Sequence, residues 1–278
     1  MTSLSIIRQL LNVKSSYSGI QRLSRFFYWQ IFRKRFGGPM RFLLPDGVAM
    51  SVRRGEAGAS AFFYHGYADY EEMMFMKEVL KPGGLFVDIG ANSGGWSLTA
   101  AGFGADAIAI EPVASSYERL IYNFNLNKNK SLQAFHLGLS DKEGELYFTT
   151  DADTGNHVTD KPDASSTKVK VTTLDNLLKS KDPSVIKIDV EGHELNVVKG
   201  GLNVLPKASL RALIIETFRW ANYDSADLRE IELILSKNGF NPIDYNPESK
   251  TIRDLEPGEG GQNTIYISDK FRKAFPNA

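Results

Sequence analysis

A short apolar run followed by a glycine-rich turn constrains the fold of this chain more than any other feature. Leu85–Ile89 (LFVDI) places apolar, β-branched and aromatic residues around one acid, Asp88, which is typical of a buried parallel strand. The small residues 90–95 (GANSGG) follow, and a helix pattern begins at Trp96. Because such a turn brings bare backbone N–H groups to a helix N-terminus, it predicts a ligand site there.

The acids around this turn indicate which ligand it binds. A second apolar run, 107–110, ends in Glu111, where a carboxylate can accept hydrogen bonds from ribose hydroxyls, so we expect a nucleoside-containing cofactor. A dinucleotide fingerprint needs a glycine where Asn92 stands, and Asp88 would face the phosphates. S-Adenosylmethionine has an ammonium, a sulfonium and no phosphate, so it suits these residues better than NAD does. An ordinary strand–helix turn without a ligand is the alternative.

A second block of acids completes a resemblance to a known family. Residues 185–194 (VIKIDVEGHE) predict another buried strand that ends in acids and leads into a short helix. Over about residues 67–268 the chain resembles the FkbM family of S-adenosylmethionine-dependent methyltransferases, and five motifs carry the resemblance in the family's order: DIGANSG (88–94), IEP (110–112), VTTLD (171–175), KIDVEGHE (187–194) and IIET (214–217). The resemblance implies a class I methyltransferase fold and methyl transfer to hydroxyl groups of sugars or polyketides.

The order of the predicted elements agrees with that implied fold. Strand and helix patterns alternate from residue 85 onwards, which indicates parallel βαβ units. We expect an α/β, Rossmann-like methyltransferase domain (67–278) with a mostly parallel seven-stranded sheet and an antiparallel C-terminal hairpin, its strands at 85–89, 107–111, 132–137, 185–190, 210–216, 239–245 and 263–267. Two extra strands, 145–149 and 168–172, flank a polar loop. Residues 1–66 are expected to form a helical and hairpin extension, with the hairpin turning at residues 45–47 (PDG).

Composition narrows the function classes. Among 278 residues, Lys+Arg and Asp+Glu are balanced at 33 each, so no net field recruits nucleic acid. The chain has no cysteine, which excludes disulfides and thiolate chemistry. No apolar stretch reaches the ~20 residues of a membrane helix, and Arg8 interrupts the apolar run that a secretory signal would need. We expect a cytoplasmic enzyme.

The cofactor contacts are expected at the carboxyl ends of the parallel strands, where open α/β sheets bind ligands. Glu111 would hold the ribose. Ser140 and Asp141 follow the third strand, at the position from which class I methyltransferases usually contact the adenine amino group. A plain turn is the alternative. Glu71 or Glu72 precedes the first strand where family members carry a similar acid; a solvated helix face is the alternative. The residues expected to hold the methionine moiety are Asp88, Gly90, Asn92 and Gly94.

Methyl transfer to a hydroxyl also needs a base for the proton. Four candidates lie at or just beyond the ends of the fourth and fifth strands: Asp189, Glu191, His193 and Glu216. His193 has a pKa range suited to neutral pH, although a plain residue at a helix N-terminus is the alternative. The carboxylates could share a proton, bind sugar hydroxyls or hold a divalent metal. Carboxylates alone do not specify a metal, so none is expected.

The acceptor is expected to be a small molecule or glycan with a free hydroxyl. The long polar loop, 150–167, would act as a lid that presents hydrogen-bonding groups to a polyhydroxylated acceptor, which favours a sugar; a mobile surface insertion is the alternative. O-Methylation of a polyketide or another small metabolite is the alternative function. An NAD-dependent oxidoreductase and a non-catalytic nucleoside-binding protein are more distant alternatives.

The N-terminal extension has its own pattern. Residues 1–36 predict helix with a break at Ser18 and Gly19, and eight basic residues precede the first acid, Asp46. An aromatic cluster, 26–29, is interleaved among them. A basic, aromatic helix can lie on an anionic membrane surface, here the inner face of the membrane. Packing of the aromatics on the methyltransferase domain and a homodimer interface are the alternatives.

Overall fold

The computed structural model describes residues 14–35, 38–151, 155–222, 225–273 and 275. The helices within these residues are α1 (Gly19–Arg35), α2 (Ala57–His65), α3 (Tyr70–Val79), α4 (Gly95–Gly102), α5 (Ala114–Asn125), α6 (Leu174–Leu177), α7 (Glu194–Lys199), α8 (Arg219–Asn222), α9 (Ala226–Lys237) and α10 (Asp269–Arg272). The strands are β1 (Met40–Leu43), β2 (Ala49–Val52), β3 (Leu85–Ile89), β4 (Asp106–Ile110), β5 (Leu132–Phe135), β6 (Gly138–Leu139), β7 (Gly144–Thr149), β8 (Ser166–Thr172), β9 (Pro183–Ile188), β10 (Ala212–Glu216), β11 (Phe240–Asn246), β12 (Thr251–Asp254) and β13 (Asn263–Ser268).

The centre of the molecule is a twisted, mostly parallel sheet. Its eight strands within the described residues run in the order β12-β11-β13-β10-β9-β3-β4-β5. Strands β10, β9, β3, β4 and β5 are parallel neighbours, and β13 pairs antiparallel with both β10 and β11. The expected parallel core and C-terminal antiparallel pair are confirmed. The sheet also has an edge strand, β12, which pairs with β11 and extends the seven expected strands by one.

Two apolar layers cover the sheet, one on each face. Side chains alternate along a strand, so neighbours such as Phe86 and Val87 on β3 enter different clusters. The Phe86 cluster includes residues of α2, α3 and α4, and the Val87 cluster includes residues of α7 and α9. Because β3 is buried on both faces, its sequence is a nearly continuous apolar run.

A small three-stranded sheet, ordered β6-β8-β7, lies beside the main one. Strands β7 and β8 pair antiparallel over six residue pairs, which confirms the two extra strands predicted around the polar loop. The loop folds back on β7, because Thr149 N donates to His157 O and Thr159 N donates to Tyr147 O. Residues 152–154 of the predicted loop lie outside the described residues.

The N-terminal part of the chain packs on the same core as the part that follows residue 66. Strands β1 and β2 form the hairpin predicted at 45–47, and α1 begins at Gly19, where the sequence predicts a break. The buried residues Trp29, Met50 and Phe63 belong to the same apolar cluster as Met73. That residues 1–66 and 67–278 are separate domains stays a prediction. The helix predicted within residues 1–13 lies outside the described residues.

The aromatic cluster of α1 divides between two environments. Trp29 is buried and stacks on Phe32, with a second ring contact to Phe63. Phe27 and Ile31 instead remain 56% and 65% exposed. Among the described helices, none is sufficiently long and apolar to cross a bilayer.

Candidate active site

A cavity of about 350 Å³ opens at the carboxyl ends of β3, β4, β9 and β10. Parallel strands converge at this edge of the sheet, so side chains distant in sequence meet there. One wall comes from the small residues of α2, including Ala57 and Ala61. Most of the predicted site residues line the cavity: Asp88, Gly90, Asn92, Glu111, Asp189, Glu191 and Glu216.

Glycines let the first turn and its helix approach their neighbours closely. Gly95 begins α4 beneath Phe62 of α2, and a Cβ on Gly95 would lie 2.2 Å from the Phe62 ring. Since real Cβ atoms do not come so near, any larger residue would push α2 away from α4. The absence of a side chain at position 95 therefore positions the α2 wall of the cavity.

Only one of the two carboxylate oxygens of Asp88 has a hydrogen-bond donor among the described residues. Its Oδ2 accepts hydrogen bonds from Ser97 N at 3.1 Å and Ser97 Oγ at 2.7 Å. Its Oδ1 is buried and accepts no hydrogen bond from the described residues. Burial raises the pKa of Asp88, although the Lys187 ammonium and Ser97 act in the opposite direction. A buried acceptor without a donor at the cavity lining fits a ligand that carries N–H or O–H groups.

Glu111 braces the turn as well as lining the cavity. Its Oε2 accepts from Asn92 N at 2.8 Å and its Oε1 accepts from Val113 N at 2.9 Å. Asn92 has a left-handed backbone, with φ 47°. Burial raises the pKa of Glu111 to about 7, while the two backbone N–H donors lower it. The carboxylate thus fixes the conformation of the loop, and its remaining lone pairs can accept from a ligand.

A buried ammonium lies beneath the cavity. Lys187 of β9 is 2% exposed, hydrogen-bonds Asp189 and lies 5.2 Å from the centre of the Trp96 ring. Burial alone would lower the pKa of Lys187, but the carboxylates of Asp189, Asp88 and Asp69 raise it overall. Trp96 Nε1 donates to Asp69 Oδ2 at 3.0 Å. This cluster of one cation, three acids and a ring is held together by contacts between four separate segments.

Three carboxylates lie beside the glycine turn and form one side of the cavity, the carboxylate wall. Asp189, Glu191 and Glu216 each offer an oxygen within 4.8 Å of the others. Glu216 is 6% exposed, and its Oε1 accepts from Gln262 Nε2 at 2.7 Å. Burial, followed by the nearby Asp189 carboxylate, raises the pKa of Glu216 to about 8. The arrangement can share a proton, accept hydrogen bonds from hydroxyls or hold a divalent cation.

Other predicted site residues lie outside this cavity lining. His193 Nε2 is 3.0 Å from Ser140 Oγ, and Ser140 Oγ also donates to Asp141 at 3.1 Å. The three residues meet one another, but none of them lines the cavity. Burial lowers the pKa of His193. Gly94, the residue immediately before α4, does not line the cavity, whereas Ser93 and Gly95 do.

The acid that reaches the cavity from the segment before β3 is Asp69. Glu71 pairs with Lys14 at the surface, away from the cavity lining. Asp69, Trp96 and Lys187 were not among the site residues predicted from the sequence. A lysine inside the otherwise apolar run of β9 is the one signal that could have found Lys187, since an unpaired charge is seldom buried.

Comparisons with known proteins agree with this geometry. The Methyltransferase FkbM domain matches residues 88–242, more than half of the chain. The hexuronic acid methyltransferase AglP of Haloferax volcanii is 30% identical over 130 residues, which are 46% of this chain and 52% of that protein. The chain therefore spans about half the length of this curated relative.

Two of the solved structures to which the chain is similar are described as methyltransferases. The methyltransferase FkbM from Methylobacillus flagellatus KT has 15% identity and a TM-score of 0.43, with 75% of this chain and 53% of that chain covered. A SAM-dependent methyltransferase from Agrobacterium tumefaciens has 8% identity and a TM-score of 0.46, with 84% and 71% covered. The family match, which spans the glycine turn and both groups of acids, confirms the resemblance seen in the sequence: this chain belongs to the FkbM methyltransferase family.

Proposed function

We propose that the protein is an S-adenosylmethionine-dependent O-methyltransferase that acts on a hydroxyl of a sugar or glycan. The charge of the cavity carries this proposal. Among the described residues of its lining, one ammonium, Lys187, stands against six carboxyl groups: Asp69, Asp88, Glu111, Asp189, Glu191 and Glu216. Such a lining favours a cationic ligand and opposes a dinucleotide phosphate.

The residues around the turn suit the parts of this cofactor. The unpartnered Oδ1 of Asp88 would accept from the methionine ammonium, together with the backbone of Gly90 and Asn92. Glu111 would accept from the ribose hydroxyls. Val113 and Phe148, two apolar residues of the lining that belong to one cluster, would enclose the adenine. Ser140 and Asp141 do not line the cavity, so this assignment gives them no contact with the adenine.

The sulfonium of the cofactor supplies an electrophilic methyl group. The chain's own task is to hold the acceptor oxygen in line with that methyl, exclude water and take one proton. Glu216 and Asp189 are the strongest candidates to accept the proton, because both line the cavity and their carboxylate oxygens lie within 4.8 Å of each other. His193 is a less direct candidate, since Ser140 lies against its Nε2.

The acceptor class rests on two further observations. The relative AglP is named as a hexuronic acid methyltransferase, which makes a sugar the natural first choice. The polar loop folds over β7 and brings Asn156 to the cavity, where its amide can bond to hydroxyls. O-Methylation of a polyketide hydroxyl is the alternative.

Calorimetry with two cofactors, followed by product analysis, tests the proposal. We expect S-adenosylmethionine and S-adenosylhomocysteine to bind and NAD to show no heat of binding. Methyl transfer to a glycoside would give a product heavier by one methylene and release S-adenosylhomocysteine. Binding of NAD in preference to S-adenosylmethionine would overturn the proposed cofactor, and transfer to a polyketide hydroxyl in preference to sugars would favour the alternative acceptor.

A second proposal concerns where the enzyme works. Ile20, Phe27 and Ile31 are 81%, 56% and 65% exposed, and their spacing of seven and four residues places them along one side of α1. No acid precedes Asp46 in the chain, whereas eight basic residues do. Arg35, four residues beyond Ile31, is exposed on the same side of α1, so an anionic membrane surface fits this face better than a homodimer, in which two such charges would face each other.

Vesicle co-sedimentation distinguishes these occupants. The protein should sediment with phosphatidylglycerol vesicles at low salt and not with phosphatidylcholine vesicles. Replacing Phe27 and Ile31 by Ser should abolish sedimentation, whereas Leu202→Ser, at a 50% exposed leucine elsewhere on the surface, should not. Absence of vesicle binding together with a concentration-dependent dimer would assign the face to a second copy of the chain.

A further inference from the structure

A second, smaller cavity continues from the first beyond its carboxylate wall. It has a volume of about 250 Å³ and shares Glu191 and Glu216 with the main cavity. Its other walls come from the turn after β10 and from the starts of α7 and α9. We call this second cavity the acceptor groove; a molecule in it would touch Glu191 and Glu216, which also line the main cavity.

The turn at the edge of the acceptor groove has an unusual backbone. Phe218 has φ 43°, a left-handed conformation that is strained for a bulky residue. Three hydrogen bonds hold it: Thr217 N and Phe218 N both donate to Gln262 O at 2.9 Å, and Arg219 N donates to Gly261 O at 3.1 Å. The Phe218 ring is left 37% exposed at the groove. A strained residue whose conformation is over-determined and whose ring faces a cavity is a candidate binding element.

The rest of the groove lining mixes apolar and hydrogen-bonding groups. Asn222 and Ser225 supply amide and hydroxyl groups, and Leu228 and Ile231 supply apolar surface. A pyranose ring needs this combination, because its C–H face packs on an aromatic ring while its hydroxyls take hydrogen bonds.

The charge of the groove discriminates among sugars. Its lining includes four acids, Glu191, Glu194, Glu216 and Asp227, and no lysine or arginine among the described residues. A uronic acid carboxylate would enter this groove without a lysine or arginine to pair with, and those acids of the lining that are ionised would oppose it. An uncharged pyranose meets no such opposition.

We propose that the acceptor groove binds an uncharged pyranose, stacked on Phe218 and oriented so that one hydroxyl lies against Glu216. This proposal rests on the proposed sugar O-methylation and narrows its acceptor to a neutral sugar unit. A neutral sugar differs from the acceptor of the relative AglP, which is named as a hexuronic acid methyltransferase. Phe218 acts here as a specificity-determining residue.

A matched pair of probes tests the charge. Methyl β-D-glucopyranoside and methyl β-D-glucuronide differ in the carboxylate at C6 alone. In saturation-transfer NMR with S-adenosylhomocysteine present, we expect signal from the glucopyranoside and at least tenfold less from the glucuronide. Stronger signal from the glucuronide would overturn the proposal.

Variants test the position. Phe218→Asn removes the ring and suits a left-handed backbone, so the protein should fold and bind S-adenosylhomocysteine within about twofold of wild type while the glucopyranoside signal falls at least tenfold. Asn222→Ala, at an exposed residue of the groove, should weaken the signal in the same direction. The control Tyr147→Asn removes a ring that is 38% exposed on β7, outside the groove, and should leave the signal unchanged.

The outcomes separate this proposal from the proposed function. An unchanged signal in Phe218→Asn, or no sugar signal from a wild-type protein that binds S-adenosylhomocysteine, rejects the groove as a sugar site. Failure of the wild-type protein to bind S-adenosylhomocysteine or S-adenosylmethionine would instead reject the proposed function.

Discussion

Gly90 at the end of β3 packs against the backbone of Asp189 at the end of β9, so closely that a Cβ on Gly90 would lie 1.7 Å from the Asp189 carbonyl oxygen. The adjacent Asp189 N donates to Ile89 O at 3.0 Å, and Gly90 itself has φ 82°. The glycine turn and the acidic motif are 99 residues apart in the chain, yet each determines the position of the other. Contact between these two backbone segments therefore fixes where the carboxylate wall of the cavity lies.

We expect Gly90→Ala to destabilise the protein by more than ~2 kcal/mol, because a left-handed backbone alone costs a residue with a Cβ ~1–2 kcal/mol and the clash with Asp189 adds to it. Urea unfolding followed by circular dichroism measures the change. Gly144→Ala is the matched control, since a Cβ on Gly144 meets nothing within 4 Å. Equal stability of the two variants would show that the strands can separate at Gly90 at little cost.

Glu111→Ala should weaken binding of S-adenosylhomocysteine by ~10–100-fold, which corresponds to the ~1.5–3 kcal/mol typical of hydrogen bonds to a charged group. Part of this loss comes from the turn, because Asn92 N and Val113 N lose their acceptor. Titration calorimetry measures the affinity, and Glu118→Ala, at an exposed acid on α5, should bind as wild type. A folded Glu111→Ala protein with wild-type affinity would remove Glu111 from the site.

Local patterns predicted the elements whose sequence is shaped by burial. The apolar runs of β3, β4, β9 and β10 are visible because both faces of these strands are covered. The acids that follow them could be placed at one edge of the sheet without knowledge of side-chain contacts. Strand β12 was missed because its residues (TIRD) are mostly exposed and carry no apolar pattern.

Contacts between distant segments could not be derived in this way. Lys187 and Asp69 are 118 residues apart, and nothing local shows that both reach the Trp96 ring and its surroundings. His193 follows the acidic motif directly, yet its ring turns towards Ser140, because the start of α7 faces the end of β6. The direction of a side chain at the end of a strand depends on the neighbours that pack there, which periodicity does not reveal.

Methyl transfer should not depend on an added metal, although Asp189, Glu191 and Glu216 could hold one. Lys187 already donates to Asp189 and Gln262 donates to Glu216, so two of the three carboxylates have donors that a cation would displace. Activity after dialysis against EDTA should equal that of untreated enzyme. Loss of activity with EDTA and its recovery with Mg²⁺ would place a divalent cation at these carboxylates.

The rate of methyl transfer should rise with pH through about 8. Glu216 can take the acceptor proton only as a carboxylate, and its pKa of about 8, raised by burial and by Asp189, leaves it mostly protonated at pH 7. The titration belongs to the pair of carboxyl groups, so a pH profile of kcat/KM is the appropriate measurement. Glu216→Gln should lower the rate ~10²–10⁴-fold and remove the alkaline rise.

Gln262→Ala tests the direction in which the pH profile shifts, which a loss of activity alone does not reveal. The Gln262 amide donates to Glu216 at 2.7 Å and lowers the pKa of that carboxyl, so its removal should raise the pKa and shift the rise in rate to higher pH. Activity at pH 7 should then fall, while activity at a pH well above 8 approaches that of wild type. A profile that stays in place in Gln262→Ala, or an alkaline rise that persists in Glu216→Gln, would assign the proton to another group, with Asp189 the next candidate in the cavity lining.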